Sequence, residues 1–174
     1  MIPASAVPGP VPQPLVLTQR LSGLSGQTPP FVLQLSADER TRLRGRRHSV
    51  CGQPLLLQLP RGEALQPGDL LADGEGLAWV RVEAAAEALL QITAADPLAL
   101  LQAAYHLGNR HVAMEIRPGE LRLAEDPVLA HLMEHRRLGV ARISAPFLPE
   151  HGAYASSQGH SHGGSEPGGH GHGA

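Results

Sequence analysis

Residues 93–116 read TAADPLALLQAAYHLGNRHVAMEI, and residues 123–144 read LAEDPVLAHLMEHRRLGVARIS. Both run Asp then Pro, an apolar helical stretch, Gly, then an extended segment, with Asp96 and Asp126 thirty residues apart. An aspartate suits a helix N-cap because its carboxylate accepts from the free N–H groups of the first turn, and Pro97 or Pro127 at the next position loses nothing by lacking an N–H. Gly108 and Gly139 follow the apolar stretches and can take the left-handed conformation that ends a helix. Strand-like segments flank each helix: EALLQITA at 87–94, HVAMEI at 111–116, ELRLAE at 120–125 and VARISA at 140–145, with Pro118-Gly119 turning between the middle two. The order β-α-β-β-α-β predicts a ferredoxin-like sandwich with both helices on one sheet face. Helical spacing assigns Tyr105 and the leucines at 98, 101 and 107 to its core.

Upstream the grammar changes. From Pro14 to about Val82, short apolar runs are broken by turns (PLVLTQRL, PFVLQL, HSVCGQPLLLQLPRG, GDLLADGEGLAWVRV), as in a small all-β domain. Leu55, Leu57 and Leu59 alternate as a half-buried strand requires, Trp79 interrupts the pattern before Val80 and Val82, and Asp73-Gly74 supplies a turn. From His151 onward glycine, serine and histidine dominate, a composition that cannot bury enough surface to offset its ordering entropy. The expected division is therefore a Pro-rich extension over 1–13, an all-β domain over 14–82, a ferredoxin-like domain over 83–150 and a disordered Gly/His tail over 151–174, the 82/83 boundary being good to several residues.

Composition removes several function classes. A chain of 174 residues with 42% apolar content can build packed cores. Net charge is -2 and all 14 basic residues are arginine, so no lysine field coats a nucleic acid or an anionic membrane. The N-terminus MIPASAVPGPVPQP lacks a signal-peptide pattern, and no stretch nears the ~18 apolar residues of a membrane span. A soluble, cytoplasmic chain is expected. One cysteine, Cys51, permits neither an internal disulfide nor a Cys-based zinc site, so histidine and carboxylate must supply any metal ligands.

Histidine is abundant where it can do so. His151, His160, His162, His170 and His172 lie in the tail, and the pairs His160-Ser-His162 and His170-Gly-His172 put two imidazoles within reach of one ion. Neutral imidazole is a borderline ligand suited to nickel, copper and zinc. The alternative is a merely solvating low-complexity tail. In YHLGNRH, His106 belongs to the last helical turn and His111 follows the cap; five residues on one helix would set them about 140° apart, too far round to chelate together. His111 makes a site by meeting its own copy across a twofold axis, with His106 or a carboxylate completing the shell, or else it is structural.

Three further features compete. His131-Leu-Met-Glu134-His135 fits H-x-x-E-H, two histidines one turn apart and a glutamate able to act as general base of a metallopeptidase, against the plainer reading of a solvated helix face. Arginine-dense RTRLRGRRHS at 40–49, without interleaved aromatics, reads as the polar face and turn of a strand pair or as a docking surface for an acidic partner. Cys51 reads as a small buried apolar residue.

AYHLGNRH followed by RPGELR, the upstream LPRGEALQPGDLL and the histidine-rich end together resemble the urease accessory nickel metallochaperone family, UreE, over nearly the whole chain after Pro14. The resemblance implies an N-terminal β domain called peptide-binding, a ferredoxin-like metal-binding domain, a homodimer, and nickel held at the dimer face by His111 with His106 as a second ligand. Some members carry histidines just after PGELR, where this chain has Leu123, Ala124, Glu125, Asp126 and Pro127. The function implied is that of a non-enzymatic chaperone that delivers nickel to the urease apoprotein complex through the urease accessory GTPase, with zinc or copper bound in vitro. A general nickel or zinc buffer without a dedicated recipient is the alternative.

Overall fold

The computed structural model describes residues 13–21, 29–76 and 78–150. The first half holds seven strands and one short helix: β1 (Leu15–Leu17), β2 (Gln19–Leu21), β3 (Phe31–Leu35), α1 (Ala37–Arg40), β4 (Arg44–His48), β5 (Pro54–Gln58), β6 (Leu70–Ala72) and β7 (Ala78–Ala84). They form a three-stranded sheet, β1-β5-β4, and a four-stranded sheet, β2-β6-β7-β3. Leu55, Leu57 and Leu59 are buried in the alternation expected of them, and they meet Leu33, Leu35, Leu71, Val80 and Val82 from the other sheet in one core. Each leucine so buried contributes about 1.5–3 kcal/mol. The turn after β6 is made by Asp73, whose carboxylate accepts from the Glu75 N–H and whose carbonyl accepts from the Gly76 N–H. The arginine-dense stretch does form a turn and strand, β4 pairing antiparallel with β5. Ahead of it, α1 was not legible as part of an all-β pattern; it is a single turn nucleated by a capping box in which Ser36 and Glu39 satisfy each other's backbone N–H.

The second half runs β8 (Ala86–Thr93), α2 (Pro97–Gly108), β9 (Met114–Arg117), β10 (Glu120–Ala124), α3 (Pro127–His135) and β11 (Gly139–Pro146), the β-α-β-β-α-β order read from the repeat. All its strand pairs are antiparallel, in the spatial order β11-β8-β10-β9. Ala103 and Leu107 of α2 and Ala130 and Met133 of α3 share one core with Leu90, Ile92, Leu121 and Leu123, so both helices cover the same sheet face. β7 pairs with β3 as far as Ala84 and β8 begins at Ala86, so the change of sheet falls at Ala85. At that junction the Ala85 N–H donates to the Leu35 carbonyl, the buried Arg40 guanidinium donates to the carbonyls of Leu35 and Phe147, and the Ala37 N–H donates to the Glu87 carboxylate.

Both helices start as the repeat dictates: Asp96 accepts from the Leu98 N–H, Asp126 from the N–H groups of Val128 and Leu129, and each is followed by its proline. Their ends differ from expectation. Gly108 stays helical, and the left-handed residue is His111, at φ 56°. The His111 N–H donates to the Gly108 carbonyl and the Val112 N–H to the Leu107 carbonyl, the paired bonds of a Schellman ending. α3 repeats it with Arg137, at φ 59°, bonding to Glu134 while Leu138 bonds back to Met133. Gly139 instead opens β11, where a Cβ would lie 2.5 Å from Thr93 Oγ1; its small size serves close approach to β8.

Two further assignments are corrected. Leu107 is buried, but Leu98, Leu101 and Tyr105 are 57%, 67% and 66% exposed. Positions 98, 101 and 105 are a helical stripe, as expected, but a second one that faces away from the chain's own sheet. Cys51 is exposed rather than buried, because it sits on the β4–β5 turn closed by the Gly52 N–H donating to the Ser49 carbonyl, where no core reaches.

Candidate functional site

The backbone at residue 111 sets the site. A left-handed residue with a side chain costs roughly 1–2 kcal/mol, and glycine is the usual occupant of this position in a Schellman ending. A histidine held there by two fixed hydrogen bonds projects from a rigid helix end, and its ring is exposed. Such residues cluster at functional sites, although Arg137 ends α3 in the same conformation. His106, one turn back on α2, is half-buried, its ring edge-on to Tyr105 at a centroid separation of 5.5 Å.

One nearby carboxylate is already engaged. Glu115 is buried; it accepts from Arg117 Nε at 2.6 Å and from the Leu148 N–H at 3.2 Å, so it braces β9 against the segment that follows β11. Among the described residues no three His, Cys, Asp or Glu side chains converge on a point. Within one chain, then, His111 stands without two further described protein ligands around it.

Two structural facts around this helix end were not read from the sequence. The first is the exposed stripe of Leu98, Leu101 and Tyr105, of which Leu101, with Ile116 of β9, 54% exposed, lines a groove of about 360 Å³ together with Leu100, Ala104 and Leu121. A hint existed: eight of the ten residues Leu98–Leu107 are leucine, alanine or tyrosine at positions going well round the helix, more than one buried face uses. The second is the exit of the chain. The Glu150 N–H donates to the Met114 carbonyl at 2.8 Å, so the last described residue is tied three positions from His111. No local pattern announces a bond across that separation.

The other candidates fall elsewhere. His131, Glu134 and His135 lie exposed on α3, as the solvated-face reading has it, without a cleft or a third ligand among the described residues. His151, His160, His162, His170 and His172 lie outside the described residues. Cys51, on the other sheet system, has its thiol held below the ordinary range, chiefly by the hydrogen bond with Ser49 Oγ at 3.2 Å and then by the Gln53 N–H.

Comparison with known proteins bears on most of the chain. Residues 25–85 match the family model of the UreE urease accessory protein N-terminal domain, and residues 87–174 match that of its C-terminal domain. The two matches abut where the sheets change. A urease accessory protein UreE of Parasynechococcus marenigrum is 56% identical over 149 residues, 86% of this chain and 97% of the relative. Relatives of the same name from Thermosynechococcus vestitus and Nostoc are 51% identical over 122 residues and 43% over 148, covering 70% and 85% of this chain and 85% and 98% of the relatives.

Proposed function

The chain belongs to the UreE family of urease accessory proteins, with a role in urease maturation, and from that premise we propose that it is a homodimeric nickel chaperone whose cargo is held by His111 of both protomers. The carrying observation is His111 itself, an exposed imidazole kept in a backbone conformation that glycine would fill at lower cost. A lone imidazole is a poor site; two related by a twofold axis, with His106 or a water nearby, make an incomplete shell suited to Ni²⁺. The apolar stripe of Leu98, Leu101, Tyr105 and Ile116 offers the face on which a second copy would pack. The β11-β8-β10-β9 order, fourth-first-third-second along the chain, is read as the ferredoxin-like arrangement.

Transfer in this reading is ligand exchange without bond-making on a substrate. His151, His160, His162, His170 and His172 collect ions through weak imidazole contacts, and the tether of Glu150 at Met114 supports their delivery, since three residues span at most about 10 Å. The open shell lets an incoming ligand bind before the old ones leave, and the urease accessory GTPase and the urease apoprotein complex receive the metal in the cytoplasm.

Calorimetric nickel titration of the full chain, paired with light-scattering mass, tests this. Wild type should show a tight class of about one ion per two protomers. His111→Gly should lose that class while remaining dimeric, and Leu101→Glu should lose the dimer and the tight class together. A tight class that survives His111→Gly, or a mass unaltered by Leu101→Glu, overturns the reading.

A further inference from the structure

We propose that His131 and His135 form a second metal site on the outer face of α3, a two-imidazole chelate for a borderline divalent cation such as Ni²⁺, Cu²⁺ or Zn²⁺. The two residues are one helical turn apart on the same continuous helix, Pro127–His135, where side chains at this spacing have Cβ atoms about 5–6 Å apart and can close on one ion. Both are exposed, while Ala130 and Met133 of the same helix are buried, so the pair stands on the face opposite the core. Neither imidazole has a hydrogen-bond or ion-pair partner among the described residues.

The helix contributes in two ways. It is anchored at its start by Asp126 and at its end by the Arg137 and Leu138 backbone bonds, so the ligand spacing is fixed before metal arrives. His135 is its last residue, and the partial negative charge of a helix C-terminus favours a cation there. That field offsets part of the repulsion from Arg136 and Arg137, which follow immediately. Histidine nitrogen without sulfur selects the borderline metals over calcium or magnesium.

Hydrolysis does not follow from the same residues. A catalytic zinc keeps three protein ligands and one open position, and no third ligand joins this pair among the described residues. With two imidazoles and the remaining positions left to water, the site is a weak and readily exchanged one. It is also separate from His111. Gly139, just past α3, pairs with Thr93 at the end of β8, whereas Pro146 pairs with Ala86 at its start, the end toward which α2 returns and from which the chain goes on to the Glu150–Met114 bond. α3 has nine residues, a rise of about 13 Å between the two ends.

Paramagnetic Ni²⁺ added below stoichiometry to the isotopically labelled full chain separates the possibilities by amide line broadening. Wild type should lose intensity at residues 131–138. His131→Gln and His135→Gln, which keep helix propensity, should each abolish that loss, and His111→Gly should leave it in place. Unaltered α3 signals beside broadened 107–112 signals overturn the proposal and leave the His111 reading standing. Broadening of α3 that persists in both glutamine variants also overturns it. Broadening of α3 alone sustains it and counts against His111.

Discussion

At the scale of one residue, the left-handed turn at His111 separates two roles that an alanine substitution confounds. His111→Ala removes the imidazole and leaves a Cβ in a left-handed conformation; His111→Gly removes the imidazole and the strain together. In urea unfolding without metal, the glycine variant should be more stable than the alanine variant by about 1 kcal/mol. Equal midpoints would mean that the turn relaxes. The sequence marked His111 because GNRH is distinctive, but it put the left-handed turn on Gly108. Glycine permits that conformation without compelling it, and the helix runs through Gly108 to a cap at Asn109, whose N–H still reaches the Tyr105 carbonyl. Cys51 was misplaced for a related reason, since small size fits a tight turn as well as a core.

At the scale of elements, what was local was legible. Asp96-Pro97 and Asp126-Pro127 act within one turn, so their spelling alone fixed both helix starts; replacing either aspartate by alanine should lower stability by about 1 kcal/mol, readable as a reduced thermal midpoint. The stripe on α2 was legible in period but not in direction, because Leu98, Leu101 and Tyr105 share the spacing of a core face and only the partner surface decides what is core. β10 carries a pH dependence. The Glu120 carboxyl is held below the usual glutamate range, chiefly by the hydrogen bond from the Gln91 side chain, against a smaller opposing effect of burial and with help from Arg122. A depressed native value means the stabilisation is complete above the unfolded value of about 4.3 and is lost as pH falls through the native one. Glu120→Gln should therefore flatten the acid limb of a plot of urea midpoint against pH, leaving the neutral region parallel to wild type.

At the scale of the molecule, two sheet systems meet at few points, and Arg40 is central among them. It is 4% exposed, and its guanidinium reaches the Phe147 carbonyl at 2.7 Å as well as that of Leu35. Arg40→Met keeps the stem and takes the guanidinium donor from the Phe147 carbonyl, while the Leu35 carbonyl keeps the Ala85 N–H, at a cost of about 1–3 kcal/mol for the buried group left short. Amide exchange should accelerate around residues 35–37 and 147–150 while the two cores keep their protection; global loss of protection would show that the halves unfold as one. The change of sheet at Ala85 falls near the point where the periodicity of the sequence changes, whereas the Arg40 and Glu150 bonds join residues far apart in sequence and leave no local trace.

The β8–β11 ladder has a mechanical side. It pairs Ala86 with Pro146 at one end and Gly139 with Thr93 at the other, so the chain enters and leaves the second sheet through neighbouring antiparallel strands. A pull applied at residues 86 and 146 loads one rung at a time, starting from the pair at which the force enters. The unit should peel open at low force in a single-molecule stretch, like a zipper drawn from its open end, however well its core resists heat.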